Sequence, residues 1–301
     1  MQQQVAKGRF QLLIRSGCLA VGRSLYRIAT KRRPMLKTIR NLFRTPTSDR
    51  PRAAIPAGER VYAVGDIHGR LDLFAGLMTA IDEDDAARGQ ARTTVILLGD
   101  LIDRGPDSAG VVSAARDWQR RRTVRIITGN HEEMLLLAME REDVLRSFLK
   151  YGGRETVLSY PVDPAVYAMA DFAGVQALMR AAIPLADLAF IRSFEDAITI
   201  GDYVFVHAGI APDVPMEEQR AGDLRWIREP FLSHAGDHGC IVVHGHTIAA
   251  DPQIRANRIG LDTGAFSSGR LTALGLQGTD RWLIEARDEN GAIQTLARSA
   301  E

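Results

Sequence analysis

Val95–Gly105 reads VILLGDLIDRG: an apolar run, a glycine, then two aspartates and an arginine in close succession. Folding alone gives no reason to gather Asp100, Asp103 and Arg104 at the end of an apolar strand. Two other stretches share the design, GDIHG at Gly65–Gly69 and GNHE at Gly129–Glu132. Two later ones place His207 after YVFV, and His244 and His246 at the end of IVVHGH. Carboxylates, imidazoles and an amide, with no thiolate among them, suit divalent ions such as Mn, Fe or Zn. The donors outnumber what one ion takes. Two ions ~3.5–4 Å apart, sharing one carboxylate and holding a hydroxide between them, form an apparatus for in-line attack on phosphorus. The planar guanidinium fork of Arg104 matches phosphoryl oxygens.

Each residue also has a bland reading. A strand histidine is ordinarily a satisfied core residue, but five of the seven histidines fall in these motifs, and core packing does not explain that concentration. Asp66 and Asp100 could cap the helices that follow, and Asn130 alone reads as a turn residue. His244 shares a strand face with His246, leaving ligation and support of other ligands both open. His234 and His238, in SHAGDHG, are expected to be exposed. Arg154, in YGGRETVLSY, is a weaker candidate for substrate contact, and Gly152–Gly153 there reads as a helix C-terminus.

Such residues need strands to carry them. From Val61 onward RVYAVGDI, TTVILLGD and VRIITGN alternate with helical patterns, which predicts a largely parallel sheet with helices outside it. Ligands bind at the carboxyl ends of such strands, so Asp66, His68, Asp100, Asn130 and His131 are aimed into one crevice. The stretch from about Glu132 to Arg192 reads as mostly helical. AITIGDYVFV then reads as two strands, and CIVVHGHT, RIGLDTGA, RLTALGL and RWLIEAR follow closely, suggesting hairpins in a second sheet.

The formal net charge of +1 hides an asymmetry: residues 1–52 carry 13 Lys/Arg against one acidic residue, and the remainder is correspondingly acidic. Residues 1–56 therefore read as a basic arm and linker, and 57–301 as the catalytic domain. Met35–Arg44 has the spacing of a short basic amphipathic helix, suited to an anionic membrane surface or an acidic partner. The acidic body argues against a nucleic-acid partner. Only Cys18 and Cys240 are present, and no apolar run approaches a membrane span, so the reading is a reducing, cytoplasmic setting.

GDIHG, GDLIDRG, GNHE, a histidine after an apolar strand and a final GHT, in that order, resemble the calcineurin-like metallophosphoesterases. They most resemble the phosphoprotein phosphatases and their bacterial and phage relatives, over about Val61–Gly278. The resemblance implies an α/β fold, a four-layer α/β/β/α sandwich of two mixed sheets with helices outside. It implies two divalent ions, with manganese first. Asp66 and His68 would hold the first, Asp100 would bridge, and Asn130, His207 and His246 would complete the second. His131 would be the general acid with Asp103 behind it. Arg104, and less securely Arg228, would grip phosphate, while Asp262 would be structural.

The expected function is phosphomonoester hydrolysis on phosphorylated protein, at Ser or Thr and also at Tyr. A poor alkoxide leaving group needs a delivered proton, and a carboxylate behind His131 charges and orients the imidazole. The alternative is a dinucleoside polyphosphate hydrolase, or an RNA-end phosphatase, on the same scaffold.

Overall fold

A computed structural model describes residues 52–300. The basic arm, with its candidate helix and Cys18, lies outside the described residues. Residues 52–300 form one compact unit, and packing begins ahead of residue 57: Ile55 is buried, and its N–H donates to Gly278 O at 2.8 Å.

β1 (Glu59–Val64), β2 (Arg92–Leu97) and β3 (Val124–Ile126) are parallel neighbours. Every residue of β1 after Glu59 is buried, as a strand covered on both faces requires. Tyr62 and Val64 pack beneath α1 (Leu71–Ala87) and α2 (Ser108–Arg121), while Val61 and Ala63 face the other way. The α1 residues Phe74, Leu77 and Ile81 recur at helical spacing and make its buried stripe.

The second sheet holds β4 (Ala197–Ile200), β5 (Tyr203–Val206), β6 (Ile241–His244), β7 (Gln253–Ile254) and β8 (Arg258–Gly260), in the order β4-β5-β6-β8-β7. β5, β6 and β8 are mutually parallel, and antiparallel neighbours flank them. Tyr203, Phe205 and Val243 meet Val61, Ala63, Ile96 and Leu98 across the space between the sheets. The outer face, Val204, Val206 and Val242, is covered by Leu224 of α9 (Ala221–Trp226) and by Phe231. Helices, sheet, sheet and helix give the four layers the sequence implied.

One expectation fails. β9 (Arg270–Gln277), β10 (Asp280–Glu289) and β11 (Ala292–Ser299) do form hairpins, but in the first sheet, whose order is β11-β10-β9-β1-β2-β3. β9 runs antiparallel to β1. Its Leu271 and Ala273 pack with the helices, and its Leu274 and Leu276 pack between the sheets. That two-sided burial suits a central position beside β1, and local alternation does not specify the neighbour.

The connection between the sheets is helical: α3 (Asn130–Ala138), α4 (Glu142–Phe148), α5 (Arg154–Ser159), α6 (Pro164–Met169), α7 (Phe172–Ala182) and α8 (Leu185–Arg192). Gly152–Gly153 lies at a break, as expected of a helix C-terminus: Gly152, with φ 112° and ψ 6°, is not helical, and a kink there separates the run continuing α4 from α5, which starts at Arg154. A short helix, α10 (Ala265–Ser268), precedes β9. No single helix among the described residues is long and apolar enough to cross a membrane.

Candidate metal centre and active site

The segments after β1, β2 and β3 in one sheet, and after β5 and at the end of β6 in the other, bring their polar residues together. Five of those residues, His68, Asp100, Asp103, Arg104 and His246, have φ between 46° and 73°. Left-handed backbone at a residue other than glycine costs about 1–3 kcal/mol and persists only where the surroundings over-determine it. Its concentration here marks a site whose geometry outranks local stability. Glycine serves the same end: a Cβ on Gly245 would collide with Asp66 Oδ1.

Asp100 lies at the centre. Its Oδ1 accepts the N–H of His131 at 3.0 Å, in the first turn of α3; the helix that directly follows β2 is capped by Asp107 instead. Its Oδ2 is 3.5 Å from His68 Nε2 and 3.4 Å from His207 Nε2. The loop is fixed from behind by Glu132, fully buried, whose carboxylate accepts the N–H groups of Gly129, Asp100 and Leu101.

Tautomers follow from the carbonyl partners. His68 Nδ1 donates to Ile102 O and His207 Nδ1 donates to Leu98 O, each at 2.8 Å; His68 therefore presents its Nε2 lone pair to the centre, while His207 Nε2 faces Asp100 Oδ2 and offers a lone pair only once its proton leaves. Asn130 Oδ1 is 2.9 Å from both His207 Nε2 and His246 Nδ1. Burial pushes His68 and His246 each down to about 3, so both imidazoles are neutral donors at ordinary pH. Burial opposes charge on His207, but the Asp100 carboxylate outweighs it and raises the group to about 10. Asp100 is held well below the usual carboxylate range: burial disfavours its charge, and the imidazoles of His207 and His131 more than compensate.

Asp66 accepts the His246 N–H at 3.0 Å. Burial, then the neighbouring Asp262 carboxylate, raises its pKa well above the ordinary value. Three carboxylates, Asp66, Asp100 and Asp262, are thus buried close together, and Asp262 Oδ2 has no partner. Such a concentration of buried anionic oxygen is what a divalent cation relieves. Among the described residues, two triads have ligand atoms within 4.8 Å of one another, His68–Asp100–His131 and Asp100–His207–His246, and Asp100 belongs to both. The residues therefore fit divalent metal. Asp66 is not a member of either triad; it is tied to the site through His246 and by its charge.

His131 Nδ1 is 2.6 Å from Asp103 Oδ2, and both side chains are buried. Burial works against a charged His131, but the Asp100 carboxylate and the Asp103 hydrogen bond outweigh it and raise its pKa. Burial likewise raises that of Asp103. Arg104 spreads its fork over the two rings, with Nη1 2.8 Å from His68 Nε2 and Nη2 2.9 Å from His131 Nε2. Its guanidinium also stands 4.8 Å from the centre of the Phe266 ring.

Of the other candidates, Arg228 is exposed, and its charge opposes protonation of His246. Arg154 is exposed and pairs with Glu155 at 3.1 Å. His244 lies outside both triads, with Nδ1 3.0 Å from Gly245 O and its ring edge-on to Phe231, which favours support over ligation. His234 and His238 are half-buried and stacked at 4.8 Å rather than exposed, because Phe231 receives the His238 ring. Sequence reading missed Ser108 and Thr156, buried hydroxyls at Asp103, and Glu132 as the support of Asp100. A hydroxyl far along the chain gives no local signal. Glu132, three residues after Gly129 at the start of α3, carries the spacing of a capping box and could have been found.

Metal removal is expected to lower the thermal midpoint and abolish turnover. Saturation to about 100 Kd is worth ~2.7 kcal/mol, or roughly 5–10 °C for a body of this size. Calorimetry of chelated and Mn-reloaded protein checks this, and an unchanged midpoint would count against the site.

Residues 59–263 match the family model for calcineurin-like phosphoesterases. The chain is 27% identical over 271 residues to a symmetrical bis(5'-nucleosyl)-tetraphosphatase of Nitrosospira multiformis, covering 72% of this chain and 92% of that protein. It is 30% identical over 226 residues to serine/threonine-protein phosphatase 1 of Salmonella typhimurium, covering 72% and 92% respectively. A crystal structure of a candidate diadenosine tetraphosphatase superimposes with a TM-score of 0.54 at 20% identity, covering 83% of this chain and all of that one, which supports the fold. With a family model spanning most of the described residues and its motifs gathered, in order, in one buried cluster, the chain belongs to the calcineurin-like phosphoesterase family.

Proposed function

We propose that this metallophosphoesterase hydrolyses the phosphoric anhydride of a dinucleoside polyphosphate such as diadenosine tetraphosphate. The observation that carries this reading is the recurrence of bis(5'-nucleosyl)-tetraphosphatases among the similar proteins, including the Nitrosospira protein matched over nearly all its length. It reverses the order of preference drawn from the motifs, where phosphoprotein came first. Two aromatic rings agree with it. Half-buried Phe266 lies 5.5 Å from His68, and Trp226, 40% exposed, lies 6.4 Å from His246, one beside each triad. Both offer stacking surface of the kind a nucleobase uses.

Divalent ions held by His68, Asp100, Asn130, His207 and His246, with Asp66, would polarise the phosphoryl group and activate water. The rest falls to the chain. Arg104 takes two phosphoryl oxygens with the fork that now spans His68 and His131. In an anhydride the leaving group is itself a phosphate and departs without a proton, so Arg104 neutralises its charge.

The second reading is a phosphoprotein phosphatase, and the 2.6 Å His131–Asp103 contact favours it. A seryl or threonyl leaving group needs a proton, which His131 Nε2 could deliver once Arg104 Nη2, now 2.9 Å from it, turns to the phosphate. kcat/KM for diadenosine tetraphosphate and for a phosphoserine peptide, measured side by side on Mn-loaded protein, separates the two. We expect at least about a tenfold preference for the dinucleotide, ~1.4 kcal/mol in the barrier. A preference of that size for the peptide would overturn the first reading in favour of the second.

A further inference from the structure

We infer that Gly152, on the turn between α4 and α5, and Thr156, within α5, are positioning residues that clasp Arg104 and Asp103 in their working conformations. Asp103 and Arg104 are consecutive and both left-handed, with φ 73° and 69°. Two adjacent side-chain-bearing residues in that region need support from outside the turn. It comes from about fifty residues away. Arg104 N–H donates to Gly152 O at 3.0 Å. Asp103 N–H donates to Thr156 Oγ1 at 2.9 Å, with Ser108 Oγ as a second acceptor at 3.0 Å. Thr156 Oγ1 in turn donates to Asp103 Oδ1 at 2.5 Å, which leaves Oδ2 for His131.

Asp103, Ser108 and Thr156 are fully buried; without the Thr156 hydroxyl the Asp103 N–H keeps only Ser108 Oγ, and Asp103 Oδ1 loses its hydroxyl donor. Gly152 has φ 112°, and a Cβ added there would stand 2.6 Å from Arg104 Cγ and 2.8 Å from Arg104 N. The kink at Gly152 is what brings its carbonyl to the Arg104 N–H. Gly152 and Thr156 therefore hold the phosphate-gripping and proton-holding groups from α5 and the turn before it.

The inference rests on the roles given to Arg104 and Asp103. Its test uses full-length, metal-loaded protein with phenyl phosphate and p-nitrophenyl phosphate as substrates and inorganic phosphate as inhibitor. Gly152→Ala is expected to raise the phosphate inhibition constant and KM about 10–100-fold, the range for losing a residue that orients another, with metal content unchanged. Thr156→Val should lower kcat on phenyl phosphate more than on the nitrophenyl ester, with KM little changed, and Thr156→Ser should restore most of it. Folded, metal-replete Gly152→Ala and Thr156→Val proteins with wild-type constants would overturn the clasp. If Gly152→Ala does not fold, the contrast between Thr156→Val and Thr156→Ser decides, and equal kinetics in those two overturns it. Arg104→Ala serves as the control. An unchanged phosphate constant in that variant defeats the role of Arg104, and the clasp with it, whereas a raised constant in Arg104→Ala alone defeats only the clasp.

Discussion

Asp100→Asn is expected to reduce turnover by at least about 10³-fold, beyond the usual loss of a single oxyanion-hole donor. The reason is geometric. Asp100 Oδ2 faces His68 and His207 at 3.5 and 3.4 Å, and the residue belongs to both triads. An asparagine keeps the shape and can keep the Oδ1 contact to His131 N–H, so the fold should survive. It removes the negative charge that holds His207 high and that a pair of cations would share. Uncatalysed phosphomonoester hydrolysis is among the slowest reactions, so little background rate would mask the loss. Metal content by mass spectrometry should fall together with turnover. Near-normal activity on any phosphoester would refute a shared-carboxylate centre.

Asp103→Asn has a different signature because it touches proton delivery and not the donors of the centre. On a phosphoserine peptide the loss should be about 10²-fold or more, the lower end of general acid catalysis. On diadenosine tetraphosphate, whose phosphate leaving group needs no proton, the loss should be within about tenfold. The contact is 2.6 Å between buried groups, and the variant would offer an amide where His131 Nδ1 now finds a carboxylate. Without that charge the imidazole loses one of the influences that raise its pKa. Equal losses on the two substrates would show that Asp103 acts on site structure in general rather than on the leaving group. The comparison therefore separates the choice of substrate from the role of the residue, since each substrate is scored against its own wild-type value.

The residues that gather at the site were legible because each is encoded within a few residues: apolar strand, glycine, then carboxylate, imidazole or amide. Such spacing survives in one dimension because the turn after a strand is a local object. The same holds for α1, α2 and the β4–β5 pair, whose periodicities announce them. What local pattern does not encode is partner choice. β9 reads identically whether it joins β1 or the second sheet, and only burial on both faces, decided by the whole core, sends it beside β1.

Support of the strained residues is distant in the same sense. Thr156 reaches Asp103 across 53 residues, and nothing in YGGRETVLSY distinguishes its hydroxyl from an ordinary helix threonine. Likewise the motif announces Asp100 as a candidate ligand, but not that its backbone turns left-handed or that Glu132 holds its loop from behind. The sequence by itself determined which chemistry is present, since donor types and their order are written in it. The tertiary structure decided how that chemistry is held, because strain at one residue is sustained only by hydrogen bonds and packing contributed from elsewhere in the chain.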